Sequence, residues 1–474
     1  MTRRELVFLI LLLLGLASVY SLNIQVGRPL PTEIIVPDQF STIQEAINNA
    51  NEGDMVFIRA GTYYEHIVVN NTVSLVGEDS STTIIDGNGT GIVVYVVRDA
   101  VNITGLSIRE SGGWPEACIL LNNVENCSLS GNIVDNSNKT STAFVGIFLQ
   151  SSEGNSVIGN DVRNNPIGIN VRQSLNNTVM ENRVAHAHLG IQVCNSSNSN
   201  LVSGNNLTNC EIGVAVNQGS QHNRLFRNQI ECSNETGIGI GVSSNNNLVV
   251  ANAIADSHYG IRILSSSNNT LYHNRIIDNN IQGYVTGGYT NQWDNGYPSG
   301  GNYWSNYNGK DLFSDPDQNQ PDSDGIGDTP YTIDSYNIDN YPLMGMLSEF
   351  NVTSELNVQT ISNSTISAFQ FNGTAVSFNV SGEDGAIGFC RICIPTAMMN
   401  ATYRVFANGT EVSCRVLPFS NSTHGYLYFT YSHSIQEVVI VSEFPSFLIL
   451  PLSIITTLIA ALALKRKTRP SRKT

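Results

Sequence analysis

Residues 153–164 read EGNSVIGNDVRN, and variants of this pattern return as residues 175–186 (LNNTVMENRVAH) and residues 198–209 (NSNLVSGNNLTN). The pattern recurs every 22 to 24 residues between about Gly146 and Asn280. Each unit carries two asparagines at fixed positions, with apolar residues between and after them. One asparagine series comprises Asn160, Asn182, Asn205, Asn228, Asn252 and Asn274, and the other comprises Asn155, Asn177, Asn200, Asn223, Asn247 and Asn269.

This period predicts the architecture. Each unit contains short β-branched segments separated by Asn, Ser and Gly, and none has an apolar run at helical spacing. One unit cannot bury its own apolar face, whereas stacked units can. Because stacked strands lie about 4.8 Å apart, equivalent residues fall into columns, and buried asparagines satisfy one another's polar groups. The repeat therefore predicts an all-β, right-handed parallel β-helix in which both asparagine series are scaffold.

The segment before the repeats suggests a cap. Ser41 is a candidate N-cap for a short helix with an apolar face that includes Ile43 and Ala46. Residues 41–78 (STIQEAINNANEGDMVFIRAGTYYEHIVVNNTVSLVGE) resemble the amino-terminal cap of pectin-lyase-like β-helix proteins. The asparagine coils resemble the NosD-type family in its archaeal surface form.

That resemblance covers about residues 33–346. It implies a β-helix over residues 33–283 with an N-terminal helical cap, followed by an Asp-, Gly- and Tyr-rich C-terminal cap over residues 284–346. Aromatic residues of the second cap are expected to cover the open end of the solenoid, as an alternative to forming a sugar-stacking platform. They are Trp293, Tyr297, Tyr303, Trp304 and Tyr307.

Both ends of the chain carry membrane signals. An N-terminal basic pair, an apolar run and small residues predict a signal peptide over residues 1–22, with an uncleaved anchor as the alternative. Residues 447–464 are apolar and about long enough to span a bilayer, and the basic tail 465–474 follows them. Because basic residues favour the cytoplasmic side, the prediction is a single-pass C-terminal anchor that holds the protein on the extracellular face of the cell membrane.

The composition of the chain and the pattern of residues 350–441 give further predictions about its partners and its domains. The net charge of −15 makes nucleic acid an unfavourable partner. Asn-x-Ser/Thr sequons, for example at Asn102 and Asn176, predict a glycoprotein. Residues 350–441 contain several short alternating strands and an Asn408-Gly409 hairpin turn, which predict a small β-sandwich. This segment resembles the Ig-like stalk modules that precede the membrane anchor of archaeal surface proteins.

One acidic loop is a candidate calcium site. Calcium binds about six to eight oxygen ligands, and alternating Asp with Gly allows a chain to wrap around it. The loop lacks the Glu at the twelfth position that an EF-hand requires, so a solvated acidic turn is the alternative. The candidate ligands are Asp315, Asp317, Asp322, Asp324 and Asp328.

The sequence gives weaker evidence for a copper or zinc site than for a calcium site. The name of the resembling family refers to copper-enzyme maturation, and copper needs His, Cys or Met in close array. The histidines are spread over the coils instead, so copper is not expected; they are His186, His188, His222, His258 and His273. The eight cysteines include Cys210 and Cys232, close to one repeat apart and expected on neighbouring coils. Cys390-x-x-Cys393, with Cys414 nearby, lacks a fourth zinc ligand.

Three function classes follow from this organisation. The predicted function is a structural or glycan-binding role at the cell surface, with an extracellular polysaccharide or surface-layer glycoprotein as partner. A polysaccharide lyase or glycoside hydrolase is one alternative, although no paired acids on adjacent coils are evident and no catalytic residue can be assigned. A copper-associated maturation protein is the other. The predicted binding face is the outward side of the first strand in each coil, and an ordinary solvated sheet is the alternative for this face. Its residues are Phe148, Asn170, Gln192, Ala215, Gly241 and Arg262.

Overall fold

The computed structural model describes residues 31–442 except residues 114, 138–144, 232, 288, 354, 400, 401 and 435. Within these described residues, no helix is both long and apolar enough to cross a membrane. The predicted signal peptide (1–22), membrane segment (447–464) and basic tail (465–474) lie outside the described residues.

The chain winds into a solenoid whose coils contribute strands to three parallel sheets, named A, B and C in the order in which a coil visits them. In the described part of the chain, sheet A contains β1 (Glu33–Val36), β2 (Met55–Ile58), β5 (Ser74–Gly77), β8 (Asn102–Thr104), β11 (Ser128–Ser130), β14 (Ser156–Ile158), β17 (Thr178–Met180), β20 (Leu201–Ser203), β23 (Arg224–Phe226), β26 (Leu248–Val250) and β29 (Thr270–Tyr272). Sheet B contains β3 (Gly61–Tyr63), β6 (Thr83–Asp86), β9 (Ser107–Arg109), β12 (Ile133–Asp135), β15 (Asp161–Arg163), β18 (Arg183–Ala185), β21 (Asn206–Thr208), β24 (Gln229–Glu231), β27 (Ala253–Ala255), β30 (Arg275–Ile277) and β32 (Tyr303–Trp304). Sheet C contains β4 (Ile67–Val69), β7 (Val94–Val96), β10 (Ala117–Asn122), β13 (Val145–Gln150), β16 (Ile167–Arg172), β19 (Leu189–Cys194), β22 (Ile212–Val216), β25 (Thr236–Gly241), β28 (Tyr259–Leu264) and β31 (Ile281–Val285).

Equivalent residues of successive coils lie directly above one another. Val157 partners Val179, and Val179 partners Val202, in parallel register. All three side chains are fully buried in one core that runs the length of the solenoid, from Ile34 to Trp304. Because each coil covers the apolar edge of the previous one, burial accumulates along the stack. The predicted all-β, right-handed-type parallel β-helix is therefore confirmed.

The asparagines form two buried columns of hydrogen bonds. The backbone N–H and the side-chain Nδ2 of Asn182 both donate to Oδ1 of Asn205, at 3.0 Å each. Asn177 makes the same pair of bonds to Asn200, at 2.9 and 3.1 Å. These amides are thus engaged with the scaffold and not with solvent. A third column, which the sequence pattern did not predict, joins serine hydroxyls to the backbone N–H of the previous coil through Ser152, Ser174, Ser197, Ser220, Ser244 and Ser266.

A short helix, α1 (Ile43–Asn49), covers the first coil. Its N-cap is Thr42, whose side chain accepts a hydrogen bond from Glu45 N–H at 3.2 Å, so the expectation that Ser41 caps this helix is wrong. Ser41 instead donates its hydroxyl to the Glu45 carboxylate at 3.0 Å. The capping geometry selects Thr42 because it precedes the first helical residue and reaches the N–H three residues later. Ile43, with Ala46 and Ile47, packs into the core.

The other end of the solenoid is closed by residues 286–345, which include two hairpins formed by β33 (Phe313–Ser314) with β34 (Gln320–Pro321) and β35 (Tyr331–Asp334) with β36 (Asn337–Asp339). Trp293 and Trp304 are fully buried against the last coils, and Tyr307 packs on the same core. The predicted covering role thus holds for these three aromatics. Tyr297 and Tyr303 pack elsewhere, against a separate cluster where the cap meets the C-terminal sheets.

The rest of the described chain forms two antiparallel sheets. One contains, in spatial order, β37 (Met346–Asn351), β38 (Asn357–Ser362), β41 (Ile387–Pro395), β45 (His424–Ser432) and β44 (Cys414–Val416). The other contains β39 (Thr365–Phe371), β40 (Ala375–Ser381), β46 (Gln436–Ser442), β42 (Tyr403–Ala407) and β43 (Thr410–Val412). Side chains of both sheets share one core, for example Phe378 and Ile392. The first strand begins at Met346, before the predicted boundary at residue 350, and the Ig-like assignment stays a prediction.

Candidate functional site

The outward side of sheet C carries a column of residues that is defined by strand register. It passes from Ala215 through Gly239 to Arg262 on three successive coils. The sequence pattern placed Gly241 in this column, and that placement is wrong because Gly241 partners Leu264. Both glycines face outward two residues apart, so only the register between neighbouring strands assigns each one to its column.

A cleft of about 170 Å³ opens on this face where the side chains are smallest. Ala215, Gly239 and Gly241 form its floor. A Cβ atom added at Gly239 would meet only the Thr236 methyl group, at 3.6 Å, so the space above this glycine is open. We call this feature the glycine cleft, and its other lining residues are Ile212, Asn217, Thr236, Ile240, Val242, Arg262 and Leu264.

Three residues that line the glycine cleft each have a buried polar atom that lacks a hydrogen-bond partner among the described residues. These atoms are Asn217 Oδ1, Thr236 Oγ1 and Arg262 Nε. Thr236 as a whole is only 1% exposed. Buried polar groups in native proteins are almost always paired, and each unpaired one costs about 1–3 kcal/mol. A polar ligand that supplies the missing partners would explain why three of them surround one small cleft.

Charged residues lie at the edge of the glycine cleft, where each coil turns into sheet C. Glu235 N–H donates to Glu211 O at 2.9 Å, which places these two acids on neighbouring coils. His188 Nδ1 lies 2.5 Å from Glu211 Oε2, and Arg262 Nη1 donates to Glu235 Oε1 at 2.6 Å. All four side chains reach solvent, so these contacts contribute little to stability and are accessible to a ligand. We call these four residues the rim cluster.

The rim cluster corrects the expectation that paired acids on adjacent coils are lacking. Glu211 and Glu235 each lie two residues before the glycine that opens the sheet C segment of their coil, Gly213 and Gly237. Aligning the repeats on those glycines would have revealed the pair. Thr236 was also missed, and no sequence pattern marks it, because a buried hydroxyl without a partner is a property of the packed face.

Aromatic side chains extend this surface beyond the glycine cleft. The ring centroids of Tyr259 and Tyr284 are 5.3 Å apart, and the Arg262 guanidinium carbon lies 5.0 Å from the centroid of the Tyr259 ring. Tyr284 is 38% exposed. The cleft therefore combines small apolar walls, a few convergent polar groups and a neighbouring aromatic surface, which is the composition typical of sites for organic ligands.

Carboxylates of the acidic loop predicted to bind calcium accept hydrogen bonds from nearby backbone N–H groups. Asp315 Oδ1 accepts hydrogen bonds from the N–H groups of Asp317 and Asn319, at 3.0 and 3.2 Å. The Asp328 carboxylate accepts hydrogen bonds from the N–H groups of Leu312 and Phe313. Among the described residues, no group of three or more His, Cys, Asp or Glu side chains is arranged to hold a metal ion.

Two arginines of the C-terminal sheets contact the rest of that loop. Arg415 forms an ion pair with Asp322 and donates to Ser323 O. Arg391, which is buried, donates to Asp324 O at 3.4 Å. Burial raises the pKa of Asp324, and the nearby Arg391 charge acts in the opposite direction. The loop joins the cap to the C-terminal sheets, and calcium binding by it stays a prediction that a calcium titration decides.

The histidines do not form a copper site in the described part of the chain. His188 is bonded to Glu211, and His258 Nδ1 lies 3.1 Å from the amide nitrogen of Asn280. His273 Nε2 lies 2.9 Å from a backbone carbonyl oxygen, and burial lowers its pKa. Because these three rings sit on different coils and do not converge, the histidines in the described ranges do not fit a copper site.

The cysteines that the structure describes likewise form no joint set of metal ligands. Cys390 is buried in the core between the two C-terminal sheets, whereas Cys393 lies on the opposite side of the same strand and lines a cavity at the cap. Cys390 and Cys414 are separated by an intervening strand. The predicted neighbour of Cys210, Cys232, lies outside the described residues.

Comparison with known proteins agrees with a parallel β-helix repeat protein. The sequence matches the NosD family, described as periplasmic copper-binding protein, over residues 47–231 and 228–309, which is more than half of the chain. This chain belongs to the NosD family. No curated protein matches it.

Solved structures that resemble this one include two bacterial proteins. The alginate lyase from Paenibacillus sp. str. FPU-7 has a TM-score of 0.39 and 15% identity over 57% of this chain and 97% of that chain. The DFA-IIIase from Arthrobacter chlorophenolicus A6 in complex with GF2 has a TM-score of 0.41 and 13% identity over 56% of this chain and 94% of that chain.

Proposed function

We propose that this protein binds a polysaccharide along the outward side of sheet C, with one sugar residue seated in the glycine cleft. The observation that carries the proposal is that three residues of a small, mostly apolar cleft have buried polar atoms with no partner in the part of the chain that the structure describes. A sugar ring has hydroxyl groups at its edge and C–H groups on its faces. It would therefore supply partners for Asn217, Thr236 and Arg262 while covering the apolar walls.

The size of the glycine cleft supports an extended ligand. At about 170 Å³ it is smaller than the roughly 300–1,000 Å³ pockets that enclose drug-sized molecules. One ring would fill it, and the remaining units of the polymer would continue over neighbouring coils, past Tyr259 and Tyr284. The flat, regular sheet is suited to this arrangement because its columns repeat at about the strand spacing of 4.8 Å.

The proposed setting is the outside of the cell. The periplasmic description of the family supports a location beyond the cytoplasm. The predicted signal peptide (1–22) would direct export, and the predicted membrane segment (447–464) would hold the β-helix at the extracellular face of the membrane, with the C-terminal sheets as a stalk. The partner would then be an extracellular polysaccharide or a surface-layer glycoprotein.

Affinity electrophoresis of the full chain in detergent tests this proposal. The gels contain alginate, polygalacturonate, dextran or soluble β-1,4-glucan. We expect at least one polymer to retard the protein, and we expect Gly239→Val, which fills the cleft, to weaken that retardation at least tenfold. Asn206→Ala, an exposed change on sheet B, is the matched control and should migrate like the parent. Migration unaffected by all four polymers, or equal retardation of Gly239→Val, would overturn the proposal.

A further inference from the structure

We propose that the two glutamates of the rim cluster, Glu211 and Glu235, form a catalytic acid–base pair that hydrolyses the polysaccharide bound in the glycine cleft. Glu211 would protonate the glycosidic oxygen, and Glu235 would activate the attacking water molecule. This inference rests on the proposed function, because the cleft must hold the sugar whose bond is cleaved. It adds an activity that simple binding does not require.

The hydrogen-bond partners distinguish the two carboxylates. Arg262 bonds Glu235 and carries a permanent positive charge, so we assign the role of the base to Glu235. Glu211 is bonded to the His188 ring instead, so we assign the role of the acid to Glu211. Two acids in different surroundings, one acting as base and one as acid, are the arrangement that glycoside hydrolysis uses.

The relative positions of Glu211 and Glu235 favour an inverting reaction. The backbones of Glu211 and Glu235 are joined by one interstrand hydrogen bond. Their side chains lean apart, one toward the coil of His188 and the other toward the coil of Arg262. Their carboxylates are therefore expected to be separated by more than the strand spacing of about 4.8 Å. Inverting pairs are separated by roughly 6.5–9.5 Å, which leaves room for a water molecule.

The glycine cleft adjoins this pair through Thr236 and Arg262, which both line it. Thr236, which follows Glu235, is buried and its hydroxyl lacks a partner among the described residues. Arg262 both lines the cleft and bonds Glu235. A sugar that satisfies these groups would bring its glycosidic bond to the edge where Glu211 and Glu235 lie.

The reaction balances with water as the only co-reactant. Glu235 accepts a proton from water as the water oxygen forms a bond to the anomeric carbon. The bond between that carbon and the glycosidic oxygen breaks, and its electron pair stays on the oxygen, which takes the proton of Glu211. The products are two shorter chains, one with a new reducing end of inverted configuration. Proton transfer to solvent from Glu235 and from solvent to Glu211 restores the starting state.

Reducing-end release from whichever of the four polymers retards the full chain tests the proposal. We expect Glu211→Gln and Glu235→Gln to lower the rate at least a hundredfold, while retardation in the gel changes less than threefold. In the pH profile of kcat/KM, Glu235→Gln should lose the acidic limb and Glu211→Gln the alkaline limb. Glu181→Gln, an exposed acid on a different turn, is the matched control and should keep the parent rate.

The outcomes separate catalysis from binding. If a polymer retards the protein but no new reducing ends appear, the catalytic proposal is overturned and the binding proposal stands. Unsaturated sugar ends, or first products of retained anomeric configuration by NMR, would also overturn it. If no polymer is bound, both proposals are overturned together.

Discussion

Asn302 donates its backbone N–H to Asp339 Oδ2 at 2.8 Å, and this bond ends an asparagine column. Asn274 donates its own N–H and side-chain amide to Asn302 Oδ1, at 3.1 and 2.8 Å. The last asparagine of such a column always needs an acceptor that no further coil provides. The cap supplies a carboxylate oxygen as the acceptor in one column. In the other column it supplies an amide oxygen, because Asn291 N–H donates to Asn337 Oδ1 at 3.0 Å. The cap therefore terminates the stack chemically as well as sterically.

The closing carboxylate predicts a pH dependence of stability. Burial raises the pKa of Asp339 to about 7, although hydrogen bonds from Asn302 N–H and Trp304 Nε1 act in the opposite direction. A raised pKa means that the folded chain keeps a proton that the unfolded chain has released. The stabilising contribution is therefore complete below the unfolded value of 3.8 and is lost as the pH rises to about 7.

We expect the Tm measured by calorimetry to fall between about pH 4 and pH 7. Asp339→Asn keeps a carbonyl acceptor and removes the titration, so its Tm should vary less over the same interval. Asp311, whose pKa burial also raises to about 7, contributes equally to both proteins. An identical pH dependence in the parent and in Asp339→Asn would contradict this account.

Removing one amide from the middle of a column should be costly. Asn205 accepts two hydrogen bonds from Asn182 and donates to Asn228 and Val179, all within the buried scaffold. Asn205→Ala leaves these groups unpaired, so we expect the free energy of unfolding to drop by about 2–4 kcal/mol in denaturant titration. Asn206→Ala, one residue away and exposed, should change it by less than about 0.5 kcal/mol. Equal effects of the two changes would argue against the column as a source of stability.

Substitution of two glycines of β25 should affect the Tm to very different extents. A Cβ at Gly237 would lie 2.3 Å from Ile254 Cγ2, so Gly237→Ala is expected to lower Tm markedly. A Cβ at Gly239 meets only ordinary contact, so Gly239→Val should keep Tm within a few degrees while it blocks the cleft. Thermal melts and affinity electrophoresis on both variants check this contrast. A large loss of Tm in Gly239→Val would show that this glycine serves the fold and not a ligand.

The Thr236 hydroxyl offers a test in which stability and binding move in opposite directions. Thr236→Val removes a buried polar group that lacks a partner among the described residues, so we expect the free energy of unfolding to rise by about 1 kcal/mol. The same change should weaken polysaccharide retardation severalfold. Thr360, in the C-terminal sheets, also has a buried hydroxyl without a described partner, so Thr360→Val should stabilise the chain and leave binding unchanged. Loss of stability in Thr236→Val would indicate that the hydroxyl has a structural role.

Much of the fold was predictable because the repeat converts sequence distance into contact. A residue and its equivalent one coil later touch, so the spacing of Asn182 and Asn205 in the sequence already encodes their hydrogen bond. The same rule identified the inward valines and the need for caps. Glu211 and Glu235, in the turn before sheet C, carry the same signal on neighbouring coils.

The features that only the tertiary structure decided depend on contacts that do not recur from coil to coil. The calcium candidates Asp322 and Asp324 lie beside arginines that come from strands about 70 to 90 residues later, and no spacing in the sequence announces that contact. The glycine cleft depends on the register that aligns Gly239 with Ala215, and on a Thr236 hydroxyl that burial leaves unpaired. Sequence alone determined the stacked scaffold, since stacking is a local and repeated interaction. The position of the cleft required the folded structure, since burial and hydrogen-bond satisfaction are set jointly by residues from several coils.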